Sequence, residues 1–118
     1  MPVDAIETPT EALRQTIIEA FCVISAKVSR LNVLLEKNDV THAFKMAKSV
    51  KTDMIEFVEL CSFNPGFEKS IAKNLFDMPR VINGNSAVRR RYALSMIKRW
   101  KHVSSIVRKQ KLIVLPNE

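Results

Sequence analysis

Glycine is nearly missing from this chain: two among 118 residues, Gly66 and Gly84. That scarcity disfavours a multi-stranded fold, whose tight turns use glycine, and favours long helices joined by few loops. No apolar run approaches the roughly eighteen residues that a membrane-spanning helix needs, so no membrane partner is expected. Residues 1–7 lack the basic segment and apolar run of a secretory signal. Cysteine occurs only as Cys22 and Cys61, with no Cys-x-x-Cys pair, and both lie among apolar residues. They read as small core hydrophobes in a reducing, intracellular compartment. The two histidines, His42 and His102, are too far apart in sequence for a ligand motif, and no metal or other cofactor is expected. There is no Gly-rich phosphate loop after a strand, and Glu56 with Glu59 is ordinary patterning on a helix surface. No catalytic constellation emerges, so the chain is expected not to be an enzyme.

Acids are nearly missing from one region as well. Residues 78–118 carry ten Lys/Arg and one acid, Glu118, a net charge of +9, whereas residues 1–77 carry nine Lys/Arg against eleven Asp/Glu, a net of −2. An electropositive third attached to a near-neutral body favours acidic peptides, phosphate or nucleic acid.

What is present is enough apolar material, 47% with mean hydropathy −0.03, to build one core. At this length a second compact unit would have too few residues for its own. The expected fold is all-α, with about five helices, a long one at the N-terminal end and a basic one at the C-terminal end. Residues 1–8 and 112–118 read as tails around a domain at 9–111.

The first helix is expected over about 9–37, with Thr8 as cap, Pro9 at the first position and Glu11 completing a capping box. Ile17, Phe21, Ile24, Val28, Leu31 and Leu35 follow spacings of three and four, a heptad seam that fits either a dimeric coiled coil or a helix laid along its own core; a monomer is expected. Asp39 suits the cap of a second helix to about Val50, and Thr52 that of a third, broken at Phe63-Asn64-Pro65-Gly66. A fourth covers about 67–76. Ser86 is read as the cap of the last, 87–109, where Val88, Tyr92, Met96, Trp100, Val103 and Val107 form the apolar stripe. The run at 112–115 is apolar enough to pack on the domain or on a partner.

Two groups of residues are candidate binding sites. On the basic helix, Arg89, Arg90, Arg91, Lys98, Arg99 and Lys101 could contact a polyanion, although consecutive arginines point about 100° apart and so form no flat stripe. The loop after the fourth helix holds Phe76, Asp77, Met78, Arg80 and Val81, where apolar side chains next to an arginine have the chemistry of a peptide-docking patch. The other reading of Phe76 and Val81 is that they fold back onto the core.

The order Leu31–Leu35, Asp39-Val40, Thr52–Ile55, Gly66-Phe67-Glu68-Lys69 through Leu75, and Tyr92 through Ile97-Lys98-Arg99-Trp100-Lys101 resembles the TFIIS N-terminal domain family, which includes the integrase-binding-type domain of LEDGF. The chain departs from it in Phe67-Glu68-Lys69, where the family has Ile-Gly-Lys, in the 82–85 loop, and in the length of the first helix. The resemblance implies a compact right-handed helical bundle in the nucleus that works as a scaffold. Its partners would be intrinsically disordered acidic and aromatic segments of transcription-elongation or chromatin proteins. By the same resemblance the docking surface lies on two interhelical loops, Lys37, Asn38 and Asp39 with Phe76, Asp77, Met78, Arg80 and Val81. The alternative is a basic helical protein that binds nucleic acid weakly and without sequence preference.

Overall fold

The computed structural model describes residues 8–75, 78, 84–111, 113 and 115. These residues form an all-helical bundle of four α-helices: α1 (Glu11–Glu36), α2 (Val40–Leu60), α3 (Pro65–Ala72) and α4 (Ser86–Gln110). Single 3-10 turns extend α2 through Cys61–Phe63 and α3 through Lys73–Leu75. No strand occurs among the described residues.

The first helix starts two residues later than expected. Thr10, not Thr8, is extended at the cap, and its hydroxyl oxygen accepts from the Leu13 N–H at 3.2 Å. Glu11 then lies in the first turn, where Arg14 binds it at 2.6 Å. The heptad seam belongs to the chain's own core: Ile17, Phe21, Ile24, Leu31 and Leu35 are buried, and Val28 is half-buried against them.

Helix α1 closes on a three-residue turn. The amides of Lys37, Asn38 and Asp39 donate to the carbonyls of Val33, Leu35 and Leu34, satisfying groups that the helix end leaves unpaired. Asn38 stands at φ 60°, a left-handed conformation that asparagine tolerates better than most residues. Asp39 then caps α2 as expected, accepting from the His42 N–H at 3.3 Å.

The expected break at Thr52 does not occur; α2 runs unbroken for 21 residues. Nothing between Val50 and Met54 removes a donor or needs a special dihedral, and Thr52 turns its hydroxyl back to the Lys48 carbonyl at 3.3 Å instead of capping. Two expected helices are therefore one, and the count is four.

The expected break at 63–66 occurs at Asn64, which is extended, and Pro65 and Gly66 already form the first turn of α3, two residues earlier than expected, with proline where its missing N–H costs nothing. Asn64 caps that turn, its side chain accepting from Phe67 N–H at 3.1 Å. Asn85, one residue before Ser86, caps α4 by accepting from Val88 N–H at 3.0 Å. A side chain at Gly84 would meet Val88 at 2.8 Å, so only glycine fits against that first turn.

Helix α4 lies against α1 and α2 and completes the core. Phe21, Phe57 and Trp100 cluster with ring centroids 5.0–6.2 Å apart, and Trp100 is 4% exposed. Such pairs add about 0.5–1.5 kcal/mol each beyond area burial. Lys111, at φ 54°, ends the helix, and Ile113 and Leu115 return to the core. Cys61 is buried as expected, but Cys22 is exposed: one residue beyond Phe21, it is carried about 100° round to the outer face.

Candidate binding groove and basic face

The structure sorts the basic residues of α4 by what they touch. Arg89 is half-buried, with Cζ 5.4 Å from the centroid of Phe44. Arg90 donates to the Asn38 side-chain oxygen, tying the α1–α2 turn to the start of α4. Arg99 donates to the Asn74 carbonyl at 2.7 Å and the Ser95 hydroxyl at 3.1 Å, so it holds the end of the α3 segment against α4. These three are spent on packing. Arg91, Lys98 and Lys101 are exposed, as are Arg108 and Lys109. With Leu94, half of whose surface is open, residues 91, 94, 98 and 101 keep the i, i+3, i+7 spacing of one helix face. Helix α4 contains eight Lys/Arg and no Asp or Glu, so this face has no counter-charge from its own helix.

Of the expected loop site, Lys37 and Asn38 are exposed and Asp39 is half-exposed. Phe76, Asp77, Arg80 and Val81 lie outside the described residues. Met78 is half-buried and packs on the core, with its amide donating to the Leu75 carbonyl at 3.2 Å. The Asp39 carboxylate, part of the expected docking surface, is engaged within the chain. Besides capping α2, its two oxygens lie 2.8 and 3.0 Å from His42 Nδ1. An ionised carboxylate only accepts, so the ring proton sits on Nδ1 in this contact. That bond, helped by the His42 amide, holds the Asp39 pKa below its ordinary value.

From Asp39 a groove runs down the bundle between α1 and α2. Its upper part, about 490 Å³, is lined by Lys27, Arg30 and Leu34 from α1 and by Asp39, His42, Lys45, Met46 and Ser49. Leu34 and Met46 give it an apolar floor. Arg30 and Lys45 stand on opposite walls with no ion-pair partner among the described residues. Lys27 bridges the two helices, donating to Ser49 Oγ at 2.7 Å and to Asp53 Oδ2 at 2.6 Å.

Apart from Asp39, none of these groove residues was singled out from the sequence. The signal was there in the matched spacings Lys27/Arg30/Leu34 and His42/Lys45/Ser49. Each keeps i, i+3, i+7 and flanks one short turn, so the two sets face each other once the helices pack antiparallel. No group of three metal-ligating side chains converges among the described residues, and no helix among them is long and apolar enough to cross a membrane. No family model matches this sequence, and neither a curated protein nor a solved structure is similar to it.

Proposed function

We propose that this chain is a non-enzymatic protein-interaction module, a monomeric nuclear scaffold of the TFIIS N-terminal type with a right-handed bundle. It captures short disordered acidic segments with aromatic or aliphatic anchors, from partners in transcription elongation or chromatin. One observation carries the reading: the groove beside Asp39 combines an apolar floor, Leu34 and Met46, with cations on both walls, Arg30 and Lys45, neither of them in a direct ion pair among the described residues. An acidic peptide with an apolar side chain satisfies both. The α4 cations raise the local concentration of such ligands by long-range attraction.

The test is to add a short acidic peptide containing a Phe-x-Phe core to the isotope-labelled protein and follow amide shifts. Shifts at residues 27–34 and 39–49 are expected. Their absence, with no shifts elsewhere, overturns the reading.

A second reading rests on the outer face of α4, where Arg91, Lys98 and Lys101 stand without an acid on the helix. In it the protein binds nucleic acid through phosphates, without sequence preference, and affinity falls steeply with salt. Shifts confined to residues 91–111, produced equally by heparin, favour this alternative.

A further inference from the structure

A second space, of about 200 Å³, lies between the same two helices on the other side of the Lys27–Asp53 bridge; Lys27 lines both, and Ala20, Val23, Ile24 and Leu60 line this one with Asp53 and Glu56. This space is larger than the roughly 150 Å³ of an engineered apolar cavity that takes up benzene, so one large side chain fits. Val23, at its mouth, is 50% exposed, among the most open large apolar side chains described. Glu56 is exposed and has no ion-pair partner among the described residues.

The two parts differ in sign. Above the bridge the walls carry Lys27, Arg30 and Lys45 against Asp39 alone; below it the charges are Asp53 and Glu56, with Lys27 shared. Lys27 and Asp53 neutralise each other at the junction, 2.6 Å apart. What remains unmatched is therefore positive at one end and negative at the other, with Leu34 and Met46 as the apolar lining above the bridge and Ala20, Val23, Ile24 and Leu60 below it.

We infer that the α1–α2 groove is a bipolar site for a peptide that is acidic at one end and carries a large apolar residue followed by a Lys or Arg at the other. The inference rests on the peptide-docking reading above and names its ligand. The acidic end pairs with Arg30 and Lys45, the apolar residue covers Val23 between Ile24 and Leu60, and the terminal cation meets Glu56. Lys45 and Glu56 are eleven positions apart on α2, about 16 Å along the axis, or about five residues of extended chain. This separation sets the spacing between the acidic cluster and the cation. A uniformly acidic segment fills only the upper half and meets repulsion at Glu56.

Three labelled peptides test it by fluorescence anisotropy. The first has an acidic cluster, a leucine and an arginine at the stated spacing; the second is its acidic half alone; the third replaces the arginine with glutamate. The first is expected to bind about tenfold more tightly than the second, about 1.4 kcal/mol, and the third no better than the second. Glu56→Lys and Val23→Asp, both at exposed positions, remove that tenfold gain and leave the acidic half-peptide unaffected. Arg30→Glu with Lys45→Glu weakens all three. Equal binding of the first and third peptides, or a gain that survives Glu56→Lys, overturns the bipolar site while the docking function stands. If none of the three binds, the docking function falls and this inference with it.

Discussion

The indole N–H of Trp100 donates to Ser25 Oγ at 3.2 Å, which joins the middle of α4 to the middle of α1 through a polar contact at the edge of the aromatic cluster. A buried indole N–H left unpaired costs about 1–3 kcal/mol. Ser25→Ala is therefore expected to destabilise the protein by about 1 kcal/mol. Trp100→Ala, which also opens a cavity between Phe21 and Phe57, is expected to cost about 3–5 kcal/mol. Urea unfolding followed by helical circular dichroism separates the two; equal losses would mean that the hydrogen bond, not the ring, holds α4 in place.

Asp39 and His42 give a pH-dependent signature at the head of the groove. The Asp39 pKa is lowered in the folded state, so its contribution to stability is present above the ordinary carboxylate value and is lost as pH falls through the lowered folded value. His42→Ala is expected to raise the Asp39 pKa toward 3.8, as read by NMR titration of its carboxyl carbon. Asp39→Ala also removes the α2 cap and is expected to lower stability. An Asp39 titration unchanged in His42→Ala would show that the ring is not the cause.

The Lys27–Asp53 bridge is part-buried, with side chains 31% and 24% exposed. Lys27→Met keeps the aliphatic packing but leaves Asp53 and Ser49 without their donor. A loss of about 1 kcal/mol is expected, and Lys27→Met with Asp53→Asn should recover part of it. A double-mutant cycle in chemical denaturation measures the coupling; a coupling of zero would make the bridge incidental.

The two cysteines should react very differently. Cys22 is exposed, while burial pushes the Cys61 thiol up to about 12. At about pH 8 a thiol reagent is expected to modify one cysteine quickly and the other only on unfolding. Because the folded pKa is raised, the stability from Cys61 is present below 9.0 and is lost as pH rises toward 12. Tyr92, raised by burial from 10.0, adds to the same alkaline loss. Cys61→Ala should flatten the alkaline limb of a stability–pH curve without abolishing it; an unchanged limb would remove Cys61 as its cause.

The core was legible because it is periodic. The seam residues Ile17, Phe21, Ile24, Leu31 and Leu35 on α1, and Tyr92, Met96, Trp100, Val103 and Val107 on α4, are buried, while Val28 and Val88 of the same two stripes are half-buried. Boundaries were less legible because Thr52, Pro65-Gly66 and Ser86 each suit two roles locally, and neighbouring backbone groups decide between them. The parts played by Arg89, Arg90 and Arg99 could not be read, since their partners Phe44, Asn38 and the Asn74 carbonyl are distant in sequence and meet them only in the packed bundle. The groove escaped notice for a related reason: most residues of its upper part are polar by type, and polar helix positions look like ordinary solvated surface until a second helix stands opposite.

The three-residue turn at Lys37–Asp39 has a consequence for how the molecule is made. Helices α1 and α2 are adjacent in the chain and close on each other with little loop entropy, on a timescale of about microseconds. Helix α4, which covers the open side of Phe21 and Phe57, ends at Gln110, fifty residues after α2. At about 5–20 residues per second, a ribosome needs roughly 2.5–10 s to deliver it. Until α4 is delivered, Trp100 cannot cover Phe21 and Phe57, so any pairing of α1 with α2 before then leaves these two rings as the apolar surface that a chaperone would have to shield.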